Sequence, residues 1–209
     1  QPHGGHGQAE GLAAGLYGYN GILVGLALAT FLLPTPLLWC CVVLGAAVVG
    51  GDINAAALLE TARAVESQGG RIATRVTDVT RYSDQEALIA LALERFGRVD
   101  VMLNNAGTMP LAFYADHANA REAWERCIDI NIKGVLYGML AVHDTMIAQG
   151  RGHVINVSSI YGNYPVVGAG VYGATKAALI NMCEALKPEL QAAGVTMSVI
   201  NPGFVRTPL

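Results

Sequence analysis

The sequence predicts an α/β fold built on a parallel, doubly wound sheet. Short apolar runs rich in β-branched residues alternate with longer segments of helical character from residue 46 onward. This alternation is typical of strands joined by crossover helices, and such sheets bind ligands beyond the carboxyl ends of their strands. We therefore expect parallel neighbouring strands near residues 46–51, 71–77, 99–104, 153–158 and 195–200.

Length and composition fit one sizeable domain. The chain has 209 residues and a formal net charge of −3, which gives no indication of binding to nucleic acid or to an anionic membrane surface. The cysteines show neither metal-ligand spacing nor the pattern of a disulfide framework; they are Cys40, Cys41, Cys127 and Cys183. We therefore expect no metal site and a reducing, cytoplasmic location, with a membrane-associated protein as the alternative.

The first 45 residues differ in composition from the rest of the chain. Residues 11–51 contain no charged side chain, whereas nearly all the charges lie from Asp52 onward. This shift predicts an apolar N-terminal segment over residues 1–45 and a globular domain over residues 46–209. The apolar run 22–33 is too short to span a bilayer, although membrane contact through residues 11–51 is one interpretation of the composition.

Candidate chemistry is concentrated in residues 154–176. Residues 154–157 suit a buried strand, and Tyr172 and Lys176 lie four positions apart in the helical segment that follows. A cation close to a phenol favours the ionised form, so such a pair can act as a general acid and base. The hydroxyl of Ser159, at the end of the strand, can reach the same reacting oxygen. A Tyr-x-x-x-Lys pair alone is more commonly two solvated helix residues, so its neighbours decide the interpretation.

The neighbouring motifs resemble those of the classical short-chain dehydrogenase/reductase family over about residues 46–209. The resemblance implies a Rossmann-like fold, hydride transfer between NAD and a secondary alcohol or carbonyl, a small-molecule substrate, and homo-oligomers. The residues that match in order and near spacing are Asp52, Asp78-Val79, Asn104-Asn105-Ala106-Gly107, Asn131, Ser159, Tyr172, Lys176 and Pro202-Gly203-Phe204-Val205-Arg206-Thr207.

The resemblance assigns a role to four candidate catalytic residues. Tyr172 would protonate the oxygen on which negative charge grows, and Ser159 would hydrogen-bond the same oxygen. Lys176 would favour the phenolate and hold the nicotinamide ribose. Asn131 would bend a long helix, expected over about residues 121–148, and hold a water in a proton relay. A polar residue within an ordinary helical core is the alternative interpretation of Asn131.

The resemblance also implies contacts with the cofactor. Asp52 would accept hydrogen bonds from the adenosine ribose and repel a 2′-phosphate, which implies NAD over NADP. Otherwise it is a simple turn residue. Small residues allow close approach of a cofactor to the backbone after the strand that ends near residue 104. The full set of implied cofactor contacts is Asp52, Asp78, Val79, Asn105, Ala106, Gly107, Tyr172, Lys176, Pro202, Gly203, Val205 and Thr207.

Two departures from the family pattern bear on cofactor binding and substrate choice. The family's first strand and glycine-rich loop should precede Asp52, and the nearest match, Asn20-Gly21-Ile-Leu-Val-Gly25-Leu-Ala27, is irregular and too distant. We therefore expect a helix over residues 21–33 on the outside of the domain, no glycine loop at a pyrophosphate, and weak or absent NAD binding. The chain also ends at Leu209, where the family continues into a substrate lid and another strand.

Residues 11–47 resemble a piece of a bacterial urea transporter. The resemblance rests on Gly15-Leu-Tyr-Gly-Tyr-Asn-Gly21, Leu26-Ala-Leu-Ala29 and the break at Pro34-Thr-Pro36. A complete transporter needs many spans, so transport by this chain alone is not expected. Beside an NAD-dependent oxidoreductase, two interpretations stay open: a chimeric or truncated chain with little activity, and a membrane protein fragment of the transporter type.

Overall fold

A six-stranded parallel sheet forms the centre of the protein. The computed structural model describes residues 22–26 and 47–203, and within these ranges the strand order is β3-β2-β1-β4-β5-β6. Each pair of neighbours is parallel, as the sequence predicts. The strands are β1 (Ile22–Leu26), β2 (Ala47–Asp52), β3 (Arg71–Val76), β4 (Val101–Asn104), β5 (Gly152–Val157) and β6 (Val195–Ile200).

Helices connect the strands from β2 onward. One helical stretch runs continuously from His117 to Gln149, close to the extent predicted for a long helix, but its middle six residues form a π-helix. Short 3₁₀ turns lie at Tyr114–Asp116 and Ile160–Gly162. The helices are α1 (Ala55–Glu66), α2 (Tyr82–Phe96), α3 (His117–Ile128), the π-helix Asp129–Gly134, α4 (Val135–Gln149) and α5 (Gly170–Ala192).

Strand β1 occupies the central position of the sheet. It pairs with β2 on one side, where Val24 lies opposite Val49, and with β4 on the other, where Val24 lies opposite Met102. The prediction of a helix over residues 21–33 is therefore wrong for Ile22–Leu26, and residues 27–33 lie outside the described ranges. An empty central position would leave buried backbone donors and acceptors unpaired, at about 1–3 kcal/mol each, and an extended apolar segment satisfies them.

The connection between β1 and β2 is long enough for a parallel crossover. Residues 27–46 separate the two strands, and parallel neighbours need a connection of about a dozen residues or more. The domain boundary at residue 45 stays a prediction, but β1 lies in the same sheet as β2 to β6.

The main hydrophobic core lies between one face of the sheet and helices α2, α4 and α5. Each of these elements contributes fully buried side chains, including Leu88, Met102, Val142, Val154 and Leu179. A smaller cluster on the opposite face contains Val48 and Leu103. Apolar residues cover both faces of the central strands, so the sheet forms a continuous apolar layer, as is usual for parallel sheets. Its carboxyl edge is left for polar groups.

Candidate active site

A cavity of about 550 Å³ opens at the carboxyl ends of β2, β3 and β4. This is the edge at which parallel α/β sheets bind their ligands. One wall comes from the turns that follow the strands, and the other comes from α3 and the π-helix. The lining residues are Gly51, Asp52, Ile53, Thr77, Asp78, Val79, Thr80, Ala106, Gly107, Glu122, Glu125, Arg126, Asp129 and Ile130.

Asp52 closes β2 at the edge of this cavity. Its side chain is buried, and its Oδ1 accepts a hydrogen bond from the Asn54 backbone N–H at 2.8 Å. Asn54 in turn caps α1, because its Oδ1 accepts from the backbone N–H groups of Ala56 and Ala57, each at 3.1 Å. The turn and the helix cap thus fix the position of the carboxylate relative to the cavity.

The turn after β3 is held by its own side chains and by α2. Asp78 Oδ1 accepts from the backbone N–H of Thr80 at 3.0 Å and from its hydroxyl at 2.7 Å. Gln85, which is buried in α2, donates its amide to the carbonyls of Val79 at 3.0 Å and Gly134 at 2.7 Å. Gln85 therefore links the cavity wall at Val79 to the π-helix.

The residues after β4 bring the cavity close to the candidate catalytic groups. Asn105 directly follows β4, and Ala106 and Gly107 line the cavity. A Cβ placed on Gly107 would lie 3.4 Å from Asn131 Oδ1 and 3.5 Å from Lys176 Nζ. The absence of a side chain at Gly107 therefore keeps the cavity open toward Asn131 and Lys176.

Asn131 lies in the π-helix and is fully buried. Its Oδ1 accepts from the Thr108 backbone N–H at 2.9 Å, and its Nδ2 donates to the Thr108 carbonyl at 3.0 Å. Nδ2 also lies 3.0 Å from Thr175 Oγ1 and 3.3 Å from Cys127 Sγ. The side-chain amide is thus committed to protein partners, and π-helical turns of this kind recur at functional sites.

Tyr172 and Lys176 lie in the first two turns of α5. The Lys176 ammonium is 5.8 Å from the centroid of the Tyr172 ring and donates to the Val157 carbonyl at 2.8 Å. The Tyr161 ring packs edge-on against Tyr172, with 6.2 Å between the ring centroids. Ser159 begins the 3₁₀ turn that carries Tyr161, and its Oγ accepts from the Tyr161 backbone N–H at 3.2 Å.

Burial controls the ionisation of the groups around Lys176. Desolvation lowers the pKa of Lys176 from 10.5 to about 8, because burial disfavours its charged form. Desolvation raises the pKa of the nearby Cys127 thiol, which favours the protonated form that can donate to the Thr108 carbonyl at 3.4 Å. At neutral pH, the site therefore holds a cationic lysine beside a neutral thiol.

The structure does not bring every predicted residue to the cavity wall. Pro202 lies in the turn after β6, and its carbonyl accepts from the Ile160 backbone N–H at 3.1 Å, which sets that turn beside the Ser159 turn. Five of the predicted cofactor contacts do not line the cavity: Asn105, Tyr172, Lys176, Pro202 and Gly203. Val205 and Thr207 lie outside the described residues. The roles assigned to Ser159, Tyr172, Lys176 and Asn131 stay predictions.

Three buried polar residues that hold the site together were not predicted from the sequence. Gln85 and Thr175 both form hydrogen bonds with the π-helix, at Gly134 and Asn131 respectively. Asn156 on β5 accepts a hydrogen bond from Asn104 Nδ2 at 2.8 Å across the β4–β5 pair. Asn156 also donates to Cys183 Sγ at 3.0 Å, which ties the strands to α5. A polar residue at an otherwise apolar strand or helix position was the available signal for each of them.

The parallel six-stranded sheet, with helices between its strands and a cavity at its carboxyl edge, is a Rossmann-like α/β architecture. The chain belongs to the short chain dehydrogenase family, whose model matches residues 40–209. A urea transporter family model matches residues 6–59, so the two matches overlap over residues 40–59. Both predicted resemblances are thereby confirmed. No helix in the described ranges has the length and apolar character that a membrane crossing requires.

Curated relatives of this chain are named as oxidoreductases. The chain is 41% identical over 140 residues to an uncharacterized oxidoreductase of Staphylococcus saprophyticus, covering 66% of this chain and 56% of the relative. It is 40% identical over 147 residues to an uncharacterized oxidoreductase of Listeria innocua, covering 69% of this chain and 58% of the relative. The chain thus spans less than two thirds of the length of these relatives. The predicted oxidoreductase ancestry is confirmed.

Solved structures share the fold. A short chain dehydrogenase/reductase from Burkholderia phymatum in complex with NAD superposes with a TM-score of 0.82 at 27% identity, covering 88% of this chain and 66% of the other. An NAD⁺-bound xylitol dehydrogenase superposes with a TM-score of 0.80 at 25% identity, covering 88% and 70% of the two chains. The predicted Rossmann-like α/β architecture is therefore confirmed.

Proposed function

We propose that the chain acts as an NAD-dependent oxidoreductase on a secondary alcohol or carbonyl compound, in the cytoplasm. The observation that carries the proposal is the buried Lys176 ammonium, which lies beside the Tyr172 ring and next to Gly107 at the end of the cavity. A phenol beside a cation, next to a cavity residue that carries no side chain, supports acid–base chemistry at this edge of the sheet. The NAD complexes of two structural neighbours support the choice of cofactor class.

The cavity residues fit the adenosine portion of NAD. Its volume of about 550 Å³ and its small lining residues Gly51, Ala106 and Gly107 leave room for a nucleotide close to the backbone. The Asp52 carboxylate lies at the end of β2, where it can accept hydrogen bonds from ribose hydroxyls. Asp78 and Val79 would lie beside the adenine, and Lys176 would hold the nicotinamide ribose.

Charge in the cavity favours NAD over NADP. The lining includes the carboxylates of Asp52, Asp78, Glu122, Glu125 and Asp129 and the guanidinium of Arg126. A 2′-phosphate would bring further negative charge into this predominantly acidic surrounding, and like charges repel. We therefore propose that NADPH binds more weakly than NADH. Equal affinity for the two cofactors would contradict this assignment.

The protein's own residues supply acid–base chemistry. When bound, NAD would supply or accept the hydride at the substrate carbon. Tyr172 would protonate the substrate oxygen in reduction and take up the proton in oxidation, and Ser159 would donate a hydrogen bond to that oxygen. Lys176, anchored by the Val157 carbonyl, would stabilise the phenolate through its positive charge. A water relay through Asn131 stays a prediction. The side-chain amide of Asn131 binds the Thr108 backbone, and a relay water would have to share these hydrogen-bonding groups.

Removal of the Tyr172 hydroxyl tests this proposal. We expect Tyr172→Phe to abolish turnover of secondary alcohols with NAD⁺, and of ketones with NADH, while NADH binding changes little. General acid–base catalysis contributes about 10²–10⁴-fold to a rate, so the loss should be at least that large. The measurement is absorbance of NADH across a panel of alcohols and ketones.

The matched control is Tyr82→Phe. Tyr82 begins α2 and packs edge-on against Tyr137, away from the cavity wall. This variant should retain the turnover of the unmodified protein. Full activity of Tyr172→Phe on a substrate that the unmodified protein turns over would exclude Tyr172 as the acid.

A further inference from the structure

Thr175 lies between the two candidate catalytic residues of α5 and is almost completely buried, with 1% of its surface exposed. Its hydroxyl donates to the Tyr172 carbonyl at 2.7 Å and accepts from Asn131 Nδ2 at 3.0 Å. A hydroxyl has one hydrogen to donate, so this single group serves as donor on one side and acceptor on the other. Thr175 therefore connects α5 directly to the π-helix.

The connection extends to the loop after β4. The Asn131 side chain accepts a hydrogen bond from the backbone N–H of Thr108 and donates one to the Thr108 carbonyl. Thr108 follows Gly107 at the end of the cavity. A continuous series of hydrogen bonds thus runs from this loop through Asn131 and Thr175 to the Tyr172 carbonyl. Each side chain in the series is buried, where an unpaired polar group is costly and a satisfied one is held rigidly.

The bond from Thr175 acts on the turn of α5 that carries both Tyr172 and Lys176. A threonine that donates to the carbonyl three residues earlier shares that carbonyl with the helical N–H donor, so its hydrogen bond acts on the local helix geometry. Tyr172 and Lys176 lie on either side of this bond in sequence. The bond is thus made within the turn of α5 that separates these two side chains.

We propose that Thr175 is a positioning residue that sets the orientation of Tyr172 relative to Lys176 by joining the first turn of α5 to Asn131. The proposal rests on the proposed function, because it gives Thr175 a part in the acid–base step. Thr175 itself does not touch the substrate or the cofactor. Its hydroxyl acts through Tyr172 and Asn131.

The test compares substitutions that differ only in the hydrogen-bonding group. Thr175→Val keeps the shape and removes the donor and acceptor, Thr175→Cys keeps a weaker group, and Thr175→Ser keeps the hydroxyl. The control is Thr196→Val, because the Thr196 hydroxyl also donates to a backbone carbonyl, that of Gly152 at 3.2 Å, but on β6. Turnover is measured together with NADH affinity.

We expect kcat to fall in the order Ser, Cys, Val, with a loss of about 10–100-fold for Thr175→Val, the size typical of a small misplacement of a reacting group. The KM of the substrate and the Kd of NADH should change little in every variant. Thr196→Val should behave as the unmodified protein. A purely structural role for Thr175 would instead alter KM, Kd and kcat together, or leave the Ser variant as impaired as the Val variant, and either result would overturn the proposal.

A spectroscopic measurement gives a result without turnover. In protein labelled with ¹³C at the tyrosine Cζ atoms, the Tyr172 signal is identified by its absence from Tyr172→Phe. We expect this signal to move in Thr175→Val and to keep its position in Thr175→Ser and Thr196→Val. If the unmodified protein turns over no substrate, the proposed function fails. The position of the Tyr172 signal then tests the positioning role of Thr175 by itself. An unmoved Tyr172 signal in Thr175→Val and Thr175→Cys would contradict that role.

Discussion

The buried ammonium group of Lys176 links the protonation state of the candidate site to the stability of the fold. Lys176 exposes 4% of its surface, and burial lowers its pKa to about 8. Below about pH 8 the lysine is protonated in both the folded and the unfolded chain, so the folded state bears the full cost of burying the charge. Between about pH 8 and 10.5 only the unfolded chain keeps the proton, so the folded state gains stability as the pH rises. The cationic form that favours a phenolate is therefore the form that costs stability.

We predict that the difference in unfolding free energy between the unmodified protein and Lys176→Met depends on pH. From pH 7.5 to 10 the unmodified protein should gain stability relative to the variant, by up to about 3 kcal/mol for a shift of this size. Urea unfolding of both proteins at the two pH values measures the change. The exposed Lys187→Met is the control and should show no such trend. A pH-independent difference for Lys176→Met would show that Lys176 is not desolvated.

At the scale of elements, the π-helix Asp129–Gly134 joins the candidate catalytic residues to the wall of the cavity. Asn131 faces Thr108 and Thr175, whereas the carbonyl of Gly134 accepts from Gln85, which also binds the Val79 carbonyl. A Cβ on Gly134 would lie 2.7 Å from Val79 Cγ2 and 3.2 Å from Val79 Cβ. The π-helix and the cavity wall therefore pack too closely for any side chain at Gly134.

We predict that Gly134→Ala weakens NADH binding because Val79 must move away from the new methyl group. Overpacking of this kind typically costs about 1–3 kcal/mol, so we expect a loss of stability and a loss of affinity of at least several-fold. Isothermal titration and thermal unfolding measure the two effects. Gly170→Ala is the matched control, because a Cβ there meets no atom within 4 Å. If the Gly134→Ala variant folds and binds NADH with unchanged affinity, Val79 does not form part of the cofactor site.

The elements that the sequence predicted well are those with a local signal. The five strands after residue 46 follow from apolar β-branched runs, and the start of α1 follows from its capping residue Asn54. The resemblance implies a bend of the long helix at Asn131, but the π-helix there could not be predicted, because one shifted set of backbone hydrogen bonds leaves no pattern in the sequence. The links made by Gln85 and Thr175 are contacts between residues distant in sequence, which a single chain does not reveal.

At the scale of the whole molecule, the sheet is completed by a segment that was predicted to lie outside it as a helix. Ile22–Leu26 provides the central strand although its composition resembles that of a transporter. The requirement that decides its position is non-local, because the backbones of β2 and β4 both need a partner. The family's glycine loop would follow this strand, in residues outside the described ranges.

Binding of NADH tests the central claim that this chain holds an NAD-dependent oxidoreductase site. The central strand that the family pattern requires is present. The glycine pattern expected after it is missing, because residues 27–44 contain no glycine, so the reason for expecting weak NAD binding remains. We therefore predict weak but saturable binding, with a Kd on the order of 0.1–1 mM, or about −5 kcal/mol. Fluorescence titration of NADH measures this affinity without knowledge of the substrate.

The decisive comparison is this titration on the unmodified protein and on Gly107→Val, whose side chain would project toward Asn131 Oδ1 and Lys176 Nζ. We predict one saturable site in the unmodified protein and a loss of binding in Gly107→Val while both proteins stay folded by circular dichroism. A folded unmodified protein whose NADH fluorescence does not saturate, or a Gly107→Val variant that binds NADH equally well, would contradict the account.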